Sequence, residues 1–254
     1  MELPRFVPED LRQLARFVPA RGWDAIAWTP LLGAMRTAGW RLVSGSGVDP
    51  LRRSLAACAP APALARSTDG LTPLSAITGE HRRQHLGDAV LHLYFTQWRN
   101  DDGLFLDLRP SHFGVDGDRL LFAPSGLWIR LQPAFREGMA AIYRSFYSGD
   151  DDVLEEALLA TGMLREDLSA SARSELLELL RAHFGVEQSA QRFAIDRFKA
   201  SFDDLFDFFL AHDYTLHSDF VFVGFYLITL YLNLEAGGET HDVRRICAEA
   251  LLAD

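Results

Sequence analysis

Residues 220–234 read FVFVGFYLITLYLNL, fifteen positions without one charged side chain. A helix built from them is apolar around its whole circumference, so it has no face to offer water and other elements must enclose it. The run is shorter than the ~20 residues that a membrane span needs, which makes it the expected central core helix of a globular fold. Peripheral contact with a membrane surface is kept as a secondary reading.

Enclosing such a helix takes many flanking elements, and the chain has the material for them. It is 254 residues long, 48% hydrophobic and 24% charged, the composition of an ordinary soluble globular protein. The formal net charge is −10 and no basic run occurs, which argues against a nucleic-acid partner, because counterion release needs clustered Lys and Arg. Cys58 and Cys247 share no tight spacing and have no His companions. They read as buried thiols of a reducing compartment. The opening MELPRFVPED lacks a charged segment followed by an apolar one, so a cytoplasmic location is expected.

Helix signals dominate both ends. Pro8, Thr29-Pro30 and Asp49-Pro50 each precede a helical pattern, with Thr29 and Asp49 placed to cap and proline in the first turn. WRLVSGSGV, between the last two, reads as a strand or loop, and APAPAL at 59–64 reads as a stiff connector. A helix is expected over 78–98, then a strand-rich stretch, then helices over 135–147, 150–161, 168–184, 188–211, 218–234 and 242–252. The glycines at 149, 162 and 185 and the AGG at 236–238 supply the stops. The expected fold class is mainly α (α+β) with one small β-sheet.

The strand-rich stretch contains DLRPSHFGVDGDRLLFAPSG at 107–126: an Asp-x-x-Pro turn, a strand, an Asp-Gly hairpin signal, a second strand and a terminal glycine. With LARSTDGLTPLSAI before it and SGDDDVLEEALLATG after it, this order resembles the C-terminal lobe of the AarF/UbiB atypical kinase-like family. The resemblance covers roughly residues 64–165, and the closing helices extend it more weakly. It implies a protein-kinase-like C-lobe over 67–254, with a reduced helical segment, 1–66, in place of the nucleotide-binding lobe. It also implies an association with isoprenoid-lipid metabolism.

Carried over position by position, the family's catalytic aspartate matches Asp107 and its turn proline matches Pro110. Arg109 stands where the family has His, Ser111 where it has Gly, and His112 where it has the metal-binding Asn. The "DFG" triplet becomes Pro124-Ser125-Gly126, and the glycine of "GRL" becomes Ile129 ahead of Arg130-Leu131. Phosphoryl transfer depends on metal ions bridging the β- and γ-phosphates. Mg²⁺ asks for oxygen ligands, and Pro124 offers none from its side chain, while the imidazole of His112 suits zinc or a late transition metal. An active kinase also needs a lysine from its N-lobe, and the one lysine of this chain is Lys199. The expected function is therefore that of a non-catalytic pseudokinase, binding a protein partner or a hydrophobic small molecule, with no cofactor. Asp107 and Arg109 are expected to close the turn with a charge-assisted hydrogen bond. The enzyme alternative is a diverged phosphotransferase that uses ATP and a divalent metal, with Asp107 as base and a metal at His112.

Other clusters have plainer readings. His81, His85, Asp88 and His92 share one stripe of the 78–98 helix, a metal-ligand spacing that would serve a metal-dependent enzyme. The simpler reading leaves His81 and His85 in water and makes His92 a hydrogen-bonded core residue. Around the turn at 212–219, Ser218 and Asp219 are expected to cap the helix that follows, and His212, Asp213 and His217 form a weak ligand candidate. Asp101-Asp102 reads as a turn and Asp150-Asp151-Asp152 as a helix start. Phe202, Leu205, Phe206, Phe209 and Leu210 read as core, and an exposed face at Phe208 would form a partner or lipid groove.

Overall fold

The computed structural model describes residues 9–18, 21–58, 62–184 and 190–251. In chain order the helices are α1 (Glu9–Ala15), α2 (Trp28–Ser44), α3 (Val48–Cys58), α4 (Glu80–Gln97), α5 (Pro133–Ser148) and α6 (Asp151–Thr161). They continue with α7 (Ala170–Phe184), α8 (Ile195–Ala211), α9 (Asp219–Gly237) and α10 (Val243–Leu251). The strands are β1 (Ala63–Leu64), β2 (Thr72–Pro73), β3 (Leu104–Phe105), β4 (Phe113–Asp116), β5 (Arg119–Phe122), β6 (Trp128–Ile129), β7 (Gln191–Arg192) and β8 (Thr240–His241). The protein is mainly helical, as expected, but the described residues form three small sheets rather than one. Four strands pair in the order β1-β5-β4-β2, while β3 pairs with β6 and β7 with β8.

The apolar run is the middle of α9, which continues to Gly237 and stops on Gly238 in the left-handed conformation. At 19 residues α9 is long and apolar enough to cross a membrane by length and composition, so the shortness of the run does not decide its role. Burial does: 72% of that window lies inside the fold. Leu14 of α1, Leu93 of α4, Phe198 and Phe209 of α8 and Ile246 of α10 belong to the same continuous apolar core as Phe222, Phe225 and Leu230 of α9.

Polar side chains within this core hold one extended segment in place. Residues 104–108 pair on one side, through β3 with β6 and through the Leu106 N–H to Leu127 O at 3.0 Å. On the other side α9 supplies the partners: Thr229 Oγ1 donates to Leu106 O at 2.8 Å, and Asn233 Nδ2 donates to Leu108 O at 2.6 Å. Gln97, the last residue of α4, accepts from the Phe105 N–H at 2.8 Å and donates to the Tyr226 hydroxyl at 2.7 Å. Tyr226 in turn donates to Tyr94 O at 3.0 Å. Buried backbone groups must find partners, and an apolar helix that keeps these few polar positions satisfies them without water.

Several local expectations need correction. Helix α2 begins at Trp28 after Ala27 and α3 begins at Val48, so Thr29 and Asp49 lie inside the first turns, and Thr29 caps nothing. Proline tolerates this shift because the first four N–H groups of a helix have no intrahelical acceptor. WRLVS is the last turn of α2, closed by Gly45 in the left-handed conformation. The expected helix starts at Pro8 and the Pro-Ala connector at 59–61 lie outside the described residues. The helix expected from 188 begins only at Ile195, because Gln191–Arg192 pairs with Thr240–His241 as a strand. Phe193 then packs against Tyr231, and Glu235 Oε1 accepts the Ile195 N–H at 3.0 Å, so α9 starts α8. Asp150 caps α6 by accepting the Val153 N–H at 3.2 Å, as the acidic run suggested. Phe208 is buried, so α8 leaves no open aromatic face there. Cys247 is buried, which pushes its thiol up to about 12, whereas Cys58 is only half-buried.

Replacing Gln97 by Leu strands the Phe105 N–H in the core and removes the donor to the Tyr226 hydroxyl. Urea denaturation is expected to show a loss of about 3 kcal/mol, the scale of unsatisfied buried groups, with an unchanged m-value.

Candidate functional site

The 107–126 stretch adopts the local structure that its sequence suggests. Pro110–His112 forms a 3-10 turn, and β4 and β5 form a hairpin in which Asp116 faces Arg119 across Gly117-Asp118. Gly117 has φ of 58°, the left-handed backbone that the Asp-Gly signal anticipates. Back-to-back Phe113 and Phe122 rings stack at 4.8 Å, and Ala123 N–H bonds to His112 O at 2.8 Å, which ties the turn to the strand that leaves the hairpin.

Asp107 lies at the centre of this turn with its side chain 2% exposed. Its Oδ1 accepts the Arg109 backbone N–H at 3.1 Å and Arg109 Nε at 2.9 Å. Its Oδ2 accepts Arg109 Nη2 at 2.5 Å and lies 2.9 Å from His112 Nε2. The expected Asp107–Arg109 clasp is present, with His112 as a third member. Burial by itself pushes the Asp107 carboxyl up, but the hydrogen bonds and charges of Arg109 and His112 outweigh it and hold the group well below its ordinary value.

Pro124 and Gly126 lie on the loop that leaves β5. A Cβ on Gly126 would come within 3.0 Å of both the Cα and the carbonyl oxygen of Leu42, so the glycine is where α2 crosses the loop backbone to backbone. Just beyond, the Arg41 guanidinium lies 3.8 Å above the Trp128 ring, and Trp128 Nε1 donates to Ser46 O at 2.9 Å. The N-terminal helices are thereby fastened onto the segment that follows the hairpin.

The histidine stripe of α4 does not converge. His81 and His85 are exposed, while His92 is half-buried with Nδ1 3.2 Å from Thr96 Oγ1, and burial lowers its pKa. Asp88 points elsewhere: its Oδ1 is 2.7 Å from Nδ1 of His241 and its Oδ2 accepts Arg245 Nη2 at 3.1 Å. Among the described residues no three His, Cys, Asp or Glu side chains gather in a metal-binding cluster. At the other turn, Asp219 leaves its own helix uncapped and accepts the Gln132 N–H at 3.0 Å, which anchors the start of α5. His217 stacks on Phe135, and the carbonyls of His212 and Asp213 accept Arg165 Nη1.

Sequence reasoning missed His241, whose partner is 153 positions away and which no motif marks. It lines a cleft of about 310 Å³ between α4 and the end of α9, together with Leu74, Ile77, Val90, Pro110 and Asn233. Pro110 makes one wall of this cleft, so the cleft abuts the Asp107 turn on its outer side.

Because the Asp107 pKa is depressed, its stabilising contribution is complete above the ordinary carboxylate value of 3.8 and fades as pH falls toward the folded-state value. Asp107→Asn is expected to cost about 3 kcal/mol at pH 7, the scale for losing one member of a buried ion pair. In denaturant titrations at pH 7, 4 and 2.5 the gap between wild type and variant should narrow with acidification; a widening gap would contradict the clasp. Compared with known proteins, the chain matches no family model and no curated protein.

Proposed function

We propose that this chain is a non-catalytic binding protein built on a kinase-like C-lobe of the AarF/UbiB type, in which the catalytic turn has become a structural clasp. One observation carries the reading: both oxygens of Asp107 are engaged by Arg109 and His112 in a site closed to water. A general base must reach the proton that it removes, and a carboxylate held this far below its ordinary pKa is a poor acceptor at neutral pH.

The neighbouring positions support the same reading. His112 spends its Nε2 on Asp107, so that nitrogen is not offered to a metal beside the turn. Pro124 has no side-chain ligand atom, and Gly126 is packed against α2 rather than opened toward a nucleotide. The one lysine, Lys199, lies on α8 beside Asp196 and the Phe17 ring, away from the hairpin. Among the described residues no cluster of His, Cys, Asp or Glu forms a metal cage, and the Arg109 guanidinium at the turn is engaged by Asp107, which supports a site that does not stabilise a transferring phosphoryl group.

What remains is a concave, mainly apolar cleft beside the turn, the form of a site for a hydrophobic small molecule. The link to isoprenoid-lipid metabolism rests on the resemblance alone, and fold does not fix function.

ATP with Mg²⁺ or Mn²⁺ is expected to leave the thermal unfolding midpoint unchanged. A ligand at 100 times its Kd adds about 2.7 kcal/mol to stability, so a nucleotide-dependent upward shift would overturn this reading in favour of a diverged phosphotransferase.

A further inference from the structure

The cleft beside Pro110 has a built polar end. His241 is 1% exposed, and its ring is held from two sides. Asp88 takes Nδ1 at 2.7 Å, and Gly87 leaves the space that the ring occupies, since a Cβ there would lie 2.9 Å from Nε2. Nε2 has no hydrogen-bond partner among the described residues, and the ring lines the cleft. Nε2 is not sealed in the interior but opens on the cleft, so a molecule in the cleft is what can partner it.

The rest of the cleft defines what would meet that nitrogen. Its walls are largely aliphatic, with Leu86, Val90 and Leu234; Ser75 and Asn233 add uncharged polar groups, and the lining contains no Phe, Tyr or Trp to stack on a planar ring. Its charges are already balanced. Arg83 at the rim is paired with Glu239 through Nε at 2.7 Å, and Asp88 is shared between His241 and Arg245. A carboxylate beside Nδ1 fixes a proton on that nitrogen, and in the tautomer this contact selects Nε2 turns a lone pair, an acceptor, toward the cleft.

From this geometry we propose that the cleft is a binding site for a neutral aliphatic molecule bearing a hydroxyl, whose O–H donates to Nε2 of His241. Asp88 and Gly87 act as positioning residues for the ring. This deepens the binding-protein reading given above and rests on it for the statement that the cleft is used.

The test uses two isomers of equal size, 1-hexanol and methyl pentyl ether, on the full chain, with binding and the side-chain nitrogen resonances of His241 followed by NMR. The alcohol should bind about tenfold more tightly, the worth of one net hydrogen bond, and should move the Nε2 resonance. In Asp88→Asn, Arg245 retains the amide oxygen and the NH₂ faces His241, which moves the ring proton to Nε2. The preference should then disappear, because a hydroxyl oxygen accepts from Nε2–H as an ether oxygen does. In the wild type, equal affinities, alcohol binding that leaves Nε2 unmoved, or no binding of either isomer would each overturn the proposal. The wild-type comparison decides even if the variant does not fold. A nucleotide-induced thermal shift strikes the non-catalytic reading alone, and a silent His241 strikes this inference alone.

Discussion

The fold depends on the way an apolar helix supplies hydrogen bonds to an extended segment that would otherwise be short of them. Residues 104–108 run through the core with strand pairing on one edge only, and the carbonyls on the other edge would be stranded in hydrocarbon. Thr229 and Asn233 of α9 and Gln97 of α4 meet those groups, so two helices and one strand lock in a single register. Sliding α9 by one residue would both expose apolar surface and unpair these carbonyls. The helix is thus selected by its polar exceptions as much as by its apolar majority.

Asp107 is reached directly from that segment. Because Leu106 and Leu108 are pinned on either side of it, the Asp107 carboxylate is delivered into the interior, where it needs compensation. Arg109 and His112, two and five residues on, give that compensation locally, and the 3-10 turn at Pro110–His112 brings them round. The clasp is local in sequence, but its burial comes from α9 and the hairpin. An aspartate in the same turn without these two neighbours would be free to act on something else.

The extended segment and the C-terminal strand pair both meet α4. Its C-terminal residue Gln97 holds the extended segment, while Gly87 and Asp88, nearly three turns earlier, seat His241 from the far end of the chain. The strand pair of Gln191–Arg192 with Thr240–His241 is what carries His241 there, and the same pair shortens α8. A single helix therefore serves a structural polar network at one end and a cleft at the other.

Much was legible in the residues alone: the buried role of 220–234, the Asp-Gly hairpin, the acidic start and glycine stop of α6, and the Asp107–Arg109 pair. All of these are set within a few positions by periodicity, by backbone freedom at glycine, or by a charge next to its counter-charge. The exact helix starts at Trp28 and Val48, the break of the 188–211 helix, the partner of Asp88 and the cleft were decided only by tertiary structure. Each of those outcomes depends on a group more than a turn of helix away, or on a first-turn proline that permits two starts equally, and local sequence carries no term for either. Asp88 shows the limit plainly: its spacing matched the histidines of its own helix, while its hydrogen bond went to a residue 153 positions later, because burial placed that ring within reach.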